Sequence, residues 1–499
     1  MKGFARRPLV TAMLLSGLLL AGGCMVGPDY QRPQLDVPIT YKEPASTDAA
    51  FANLDWWKLF ADEKLKSLVQ EALDYNRDLG VAVSRIAEAA AILRIERANQ
   101  YPFLDAEAGA GRSSQSRNIL PTAETESSYY FNGAASFEVD LWGKLRRSTE
   151  AARAELLSTE ESARNVTISL IAAVATTYFQ LLDLDDRLRI SIRTLKSRED
   201  ALAIIKARYA KGTVPELDVN QAEIEAADAQ ASVATFDRAV RQTENALSVL
   251  VGSRPRDIER GSELAQQAMP VEVPAGLPLT LLERRPDILA AEQRLAAETA
   301  RIGVARAQRL PSLSLTASFG YASRDLSDLV EGDSENWGLF GDILAPIFNA
   351  GQLKSVEEAQ RQRAEQARLG YEQAVLNGLR DVDDSLTGLR TSRDEHIARQ
   401  RQLAAARSAA RLSRARYDGG LVSYLEVLDS ERSLFQAELL ESQTRQQQLS
   451  AVVSLYRALG GGWSAVQGTG RWAAAGRRCR SRRRRRRSEP GTHEQGGRG

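Results

Sequence analysis

The chain has 499 residues, a formal net charge of +1, two Cys and two His. Two cysteines exclude a disulfide framework, and two histidines exclude a His-rich metal site. Three cations in the leader and a net +9 in the tail leave the stretch between them at −11. That mildly acidic body lacks the basic footprint of a nucleic-acid binder, so no nucleic-acid partner is expected. Hydrophobic residues make up 43% and aromatics 6%, a balance that suits long helices better than a mixed core.

The N-terminus reads as an address. Lys2, Arg6 and Arg7 precede the apolar run Leu9 to Leu20, and Ala21, Gly22 and Gly23 lead into Cys24. A basic start, a short apolar core and small residues before a cut site describe an export signal. Small residues directly before a Cys fit a lipoprotein signal over 1–23, with Cys24 as the lipidated first mature residue. Ordinary cleavage with an incidental Cys is the alternative. Met25 follows, not the aspartate associated with inner-membrane retention, which favours the outer membrane. Residues 24–54 carry Pro28, Pro33, Pro38 and Pro44 and are expected to be extended. No uninterrupted apolar run after the leader reaches the roughly 18 residues of a spanning helix.

From Asp55 the pattern turns helical, with Leu65, Leu68, Val69 and Leu73 at amphipathic spacing. A second helix is predicted over about 78–100. Residues 76–102 then answer residues 284–311: Asp78 with Asp287, Arg85 with Arg294, Arg97 with Arg306, Pro102 with Pro311. Tyr209, Gly212, Val214 and Leu217 likewise answer Tyr417, Gly420, Val422 and Leu425. The period is 208 residues or close to it, as Tyr209 and Tyr417 show. That is too long for a solenoid repeat, so each half is a whole structural unit. The first unit covers 55–252, the second 284–463, and a Pro- and Gly-rich connector covers 253–283.

Each unit holds two stretches of period-two alternation, the mark of strands with one apolar and one polar face. They are predicted at about 102–112, 129–141, 311–322 and 337–348; the fourth alternates poorly and rests mainly on the repeat. About ten residues suits a strand crossing a bilayer, yet four strands cannot close a barrel and open edges are not tolerated in lipid. Several copies of the chain are therefore needed if the strands enter a membrane. A soluble four-stranded sheet is the other reading.

A long helix follows each pair, over 143–211 and 351–418, without a proline. Ile168, Ile171, Tyr178, Leu181, Leu188, Ile192, Leu195 and Leu202, and later Leu376, Leu379, Val382, Leu386 and Leu389, keep 3-4 heptad spacing, so each helix lies along a neighbour. Glycine turns at Gly212 and Gly420 lead into return helices over 216–251 and 424–459. In the second turn Leu425 and Asp429 fall one helical turn apart, on one face. The Arg-rich tail, 464–499, is expected to be disordered. No P-loop, GxGxxG, zinc spacing or Ser/His/Asp set appears, so no enzyme chemistry and no cofactor beyond a lipid on Cys24 is expected.

These landmarks resemble the TolC/OprM-like outer-membrane factors. The matching segments are CMVGPDYQRP, WWKLFADEKLKSLVQEALDYNRDL, FEVDLWGKLRR, LPLTLLERRPDI, PIFNAGQL, RYDGGLVSYLEVLD and ALGGGW. The resemblance implies a mainly α, internally duplicated homotrimer. Its twelve-stranded transmembrane β-barrel would sit on a twelve-helix α-barrel with an equatorial domain. It implies lipid anchoring in the Gram-negative outer membrane, extension into the periplasm, a periplasmic adaptor and an inner-membrane pump of the RND type. The function implied is a passive exit duct for drugs or other small molecules. Export of protein or metal ions through the same duct, and a trimeric envelope scaffold without a pore, are the alternatives. By the family match Leu425, Glu426 and Asp429 would form the pore constriction. Gly212, Val214, Gly420 and Val422 are the candidates for docking the adaptor.

Overall fold

The computed structural model describes residues 25–36, 38, 40–42, 61–116, 118, 119, 122, 124–267 and 284–461. The leader with Cys24, residues 43–60, the connector from 268 to 283 and the Arg-rich tail lie outside them. Eleven elements carry the described chain: α1 (Glu63–Tyr75), α2 (Arg77–Ala98), β1 (Phe103–Ser114), β2 (Thr125–Val139), α3 (Lys144–Ala210), α4 (Glu216–Leu250), α5 (Pro286–Ala307), β3 (Ser312–Ser323), β4 (Glu335–Leu344), α6 (Gln352–Asp418) and α7 (Tyr424–Ala458). The duplication is plain in the lengths. α2 and α5 have 22 residues each, α3 and α6 have 67, and α4 and α7 have 35.

Two compact units divide this chain. The first takes in the part up to Leu35 with Arg85–Glu160 and Ala290–Glu372. Its centre is one antiparallel sheet in the order β1-β2-β3-β4. The register sets Leu104, Ala135, Ala317 and Leu339 in one row, and Ala106, Gly133, Phe319 and Trp337 in another. Cross-strand partners share a face, so the apolar side of every strand falls on the same side of the sheet. Phe131, Phe319, Trp337, Leu339 and Ile343 stand exposed there. The fourth strand fits this pattern better than its sequence suggests. Trp337, Leu339, Gly341 and Ile343 take the apolar face, and only Phe340 and Leu344 interrupt the polar one.

β1 runs two residues past the expected end, β2 starts four residues before the expected start and β4 two, and the early ends of β2 and β4 each have a local reason. β2 ends at Val139 because Asp140 leaves the sheet to cap α3, accepting from Leu145 N at 3.2 Å and Arg146 N at 3.0 Å. β4 ends at Leu344, two residues before Pro346, which has no N–H for a ladder. The N-terminal segment is extended, as its prolines predict, and strapped to the same unit. Arg32 grips the Glu292 carboxylate with two bonds of 2.7 Å, Tyr30 donates to it at 3.0 Å, and Arg147 pairs with Asp29 at 2.7 Å. Gly27 has φ 98°, and a Cβ there would lie 2.4 Å from the Gly303 Cα, so both the conformation and the approach require glycine.

The second unit holds Asp36–Ser84, Glu161–Leu289 and the chain from Gln373. Its core joins Leu65, Val69 and Ala72 of α1 to Val174, Tyr178 and Leu181 of α3 and Leu247 of α4. α3 alone among the described helices has an 18-residue window apolar enough to cross a membrane, with 61% of it buried, as this core requires. The connector, unreadable by periodicity, is held over 261–267 around one carboxylate, while Glu244 takes Ile258 N and Arg260 just before it. Asp62 caps α1 through Lys64 N and Leu65 N and also accepts from Tyr178 Oη (2.9 Å), Ser262 N (3.1 Å) and Gln267 Nε2 (2.8 Å). Burial pushes this carboxyl up, but the bonds from Gln267, Tyr178 and the two backbone amides outweigh it and hold Asp62 below the ordinary range.

The heptad seam holds in part. Val375, Val382, Leu389, His396, Leu403 and Ala410 are buried at a strict seven-residue interval in α6. Ile192 and Leu376, read as seam residues, are exposed. Each lies one residue off the true stripe, which Ser191 and Arg198 continue in α3 and Val375 begins in α6.

Candidate functional site

The two glycine turns have the same backbone. Gly212 has φ 71° and its N–H reaches Tyr209 O at 2.8 Å, while Thr213 N reaches Arg208 O at 3.1 Å. Gly420 has φ 70°, with Gly420 N to Tyr417 O at 2.9 Å and Leu421 N to Arg416 O at 2.9 Å. These paired bonds close a helix whose next residue is left-handed, which explains both glycines. Val214 is half-buried and packs on a small core of Ile205, Ala222, Tyr424, Val427 and Leu428; Val422 is also half-buried. The apolar side chain presented by the second turn is Leu421, which the sequence reading passed over. Its signal was its place beside Gly420, where the first turn has Thr213.

Leu425, Glu426 and Asp429 sit on one side of the first turns of α7, away from the buried Tyr424, Val427 and Leu428. Leu425 is 54% exposed. Glu426 meets Arg416 across the turn at 3.4 Å. Leu425 and Asp429 thus stand exposed one helical turn apart on this side of α7.

Behind them lies a polar lattice the sequence did not reveal. Arg208 donates to Tyr417 Oη at 3.1 Å and lies over its ring, and Tyr417 packs on Tyr424 with centroids 5.4 Å apart. Arg198 is buried beneath, bonded to the Glu225 carboxylate (3.0 Å) and to the Glu225 carbonyl (2.8 Å), and stacked over Phe435. Arg432 completes the Glu225 pair, and Arg414 approaches Glu431 at 3.6 Å. Burial raises the Glu431 carboxyl above its usual value, with Arg414 and Arg198 opposing. Burial also pushes the Tyr424 hydroxyl up to about 12. The arrangement buries charge as pairs and links the two turns through Arg208 and Tyr417 while Leu421 and Leu425 stay exposed.

A family model described as outer membrane efflux protein matches residues 68–253 and 277–461, one block for each half of the duplication. The chain belongs to the outer membrane efflux protein family. It is 38% identical over 464 residues to the solvent efflux pump outer membrane protein SrpC of Pseudomonas putida, covering 90% of this chain and 98% of that one. It is 36% identical over 444 residues to the cation efflux system protein CusC of Escherichia coli K12, covering 88% and 96%. The open-state crystal structure of the Neisseria gonorrhoeae MtrE outer membrane channel superimposes with a TM-score of 0.80 at 32% identity, covering 88% of this chain and 98% of that one. The fold is TolC-like, and the protein is an outer-membrane channel component of an efflux pump. Its family is one of channels, not of enzymes.

Proposed function

We propose that the protein works as a homotrimer, a passive exit duct that takes small organic molecules from an inner-membrane RND pump through a periplasmic adaptor and releases them outside. One observation carries the oligomer. The sheet has an exposed apolar face and two unpaired edges, at β1 and β4. Such a sheet is stable in lipid only if other copies pair its edges, and three copies give twelve strands. Three copies also turn one side chain into a ring. Leu425 then forms an apolar constriction, Asp429 a carboxylate ring, and Glu426 a second acidic position. The turns around Gly212 with Val214 and Gly420 with Val422 are the adaptor-docking surface, with Leu421 exposed between them. A lipid on Cys24 holds the chain to the outer membrane.

A second reading, export of cations, is favoured by the polar face of the sheet. Asp105, Glu107, Glu126, Glu138 and Asp342 stand on it, and no Lys or Arg within the four strands does. CusC, a relative of this chain, is named for cation efflux.

Native mass measurement and single-channel recording in planar bilayers test the proposal. A trimer with ohmic conductance is expected, and Leu425→Ala should raise that conductance. A trimer that never conducts would leave only a scaffold, and an unchanged Leu425→Ala channel would remove the constriction. Survival of a deletion strain on solvents, antibiotics and metal salts separates the two cargoes.

A further inference from the structure

The face that carries Leu425 and Asp429 does not end near the turn. Gln447 lies 18 residues beyond Asp429 in α7, about five turns of a 3.6-residue helix, so it falls on the same face. Gln436 between them is exposed and Gln443 half-buried. At Gln447 this face opens into a groove of about 790 Å³ between α6 and α7. The α6 wall carries Ser385, Thr391 and Ser392, and the α7 wall carries Gln447, Ser450 and Ser454. Gly388 stands in the middle of the α6 wall, and an added Cβ there would meet nothing within 4 Å. Glycine inside a helix destabilises it relative to alanine, and here no close neighbour requires one. Charge marks both ends. Glu395 stands at one, 3.4 Å from Arg399, and Asp384 at the other, 4.0 Å from Arg380, with Arg457 on the α7 wall. Both pairs are exposed and therefore weak. At the positions of the first copy that match Thr391, Ser392 and Gln447, Asp183 and Leu184 are buried and Ala239 packs on the core. The duplication filled one groove and left the other open.

We infer that this groove is a resting site for cargo inside the duct, fitted to hydrophilic amines that carry several hydroxyl groups, which rests on the reading that Leu425 and Asp429 face the conducting path. The volume is that of a site for one drug-sized molecule. Ser, Thr and Gln side chains both donate and accept hydrogen bonds, as hydroxyl groups do. Glu395 offers its carboxylate to an amine at one end, and Asp384 and Arg457 offer both signs of charge at the other. Gly388 keeps the space over the α6 wall open for the molecule. Each hydrogen bond made in exchange for water adds little, so the cargo is held briefly and moves on, as conduction requires. A neighbouring copy is not the occupant. The core of such an interface is apolar and poor in charge, and no large apolar side chain lines either wall. An apolar solvent gains no contact here and passes without stopping.

The test is single-channel recording of the full-length protein with kanamycin, an aminosugar rich in amine and hydroxyl groups, as the probe. Kanamycin should interrupt the current. Glu395→Gln should shorten each interruption about fivefold, the worth of one amine–carboxylate contact in water. Gly388→Trp fills the groove and should abolish the interruptions, and it replaces a poor helix former, so the helix is kept. Ser450→Cys, made together with Cys479→Ser, should react with a charged thiol reagent in the assembled protein, and kanamycin should slow that reaction. The protein with Cys479→Ser alone is the blank. A current that kanamycin leaves uninterrupted, or interruptions lost with Asp429→Asn and untouched by Glu395→Gln and Gly388→Trp, would overturn the groove and leave the duct standing. A Ser450→Cys protein that never reacts would show the groove covered by protein and overturn the site as well. A protein that never conducts would overturn the duct itself.

Discussion

The two glycine turns are copies with the same backbone and different interiors. Gly212 and Gly420 differ by one degree in φ, and Leu217 and Leu425 are both exposed one turn into the following helix. Yet the shared core beneath them joins Ile205 and Ala222 of the first copy to Tyr424, Val427 and Leu428 of the second, at positions that do not match. Tyr424, Val427 and Leu428 are buried, whereas the matching Glu216 and Asn220 are exposed and Val219 is only half-buried. The arginines diverge too. Arg208 stacks on Tyr417, while its counterpart Arg416 reaches Glu426. Duplication kept what the chain needs to reverse direction and released everything else. In the second copy one helix start supplies both the buried Tyr424, Val427 and Leu428 and the exposed Leu425 and Asp429.

The sharpest way to break this comparison is to truncate matched residues. Tyr424→Ala removes a buried ring and should cost about 3–5 kcal/mol in local stability. Glu216→Ala should stay within about 0.5 kcal/mol. Amide exchange at Ile205 and Ala222 reads both. Equal effects would mean that Glu216 supports this core as much as Tyr424 does.

The glycines test the part that was kept. At both turns an added Cβ meets nothing within 4 Å, so only backbone strain opposes it. Gly212→Ala and Gly420→Ala should each cost about 1–2 kcal/mol, the usual left-handed penalty, and the two values should agree. A clear difference would show that one turn is not held in the left-handed form.

Those features were legible because they are local. A glycine turn, a 67-residue helix without proline and a period-two strand each leave their mark in consecutive residues. What stayed hidden depends on a distant partner. The 261–267 part of the connector follows Asp62, about 200 residues away, and no periodicity announces a hydrogen-bond hub. Val214 gave no sign in sequence that it packs on Tyr424 and its neighbours, about 210 residues away. Ile192 and Leu376 kept apolar character one residue off the seam, where a pattern match cannot tell a packed position from its neighbour. The poor alternation of β4 came from Phe340 and Leu344, which stand on its polar face.

Exchanging the one charge difference on the face of Leu425, Glu426 and Asp429 sharpens the comparison further. The first copy has Gln221 where the second has Asp429. Asp429→Gln should lower the cation-over-anion permeability ratio by about fivefold, the equivalent of roughly 1 kcal/mol of ion–carboxylate attraction in water. Gln221→Asp in that background should not restore it if only the second turn faces the conducting path. Restoration would make the two turns equivalent in function as well as in backbone.

The smallest effect compares Leu188 with its counterpart His396. Leu188 packs against the core of the second unit, and His396 is buried on the α6 seam. The ring's Nδ1 lies 3.1 Å from Thr444 Oγ1 and its Nε2 3.0 Å from Gln400. Burial lowers its pKa below the usual 6.5, Glu441 at 4.0 Å partly opposes, and Arg445 adds to the lowering. The unfolded chain therefore takes up a proton before the folded one does. Stability is full above about pH 6.5 and declines as pH falls below it. Because Glu441 offsets part of the burial, the slope should be shallow. His396→Leu should remove the slope while leaving the turns intact, with thermal unfolding at pH 7.5 and 5.5 as the measure. An equal slope in wild type and variant would move the acid sensitivity to other groups and leave the seam position as ordinary packing.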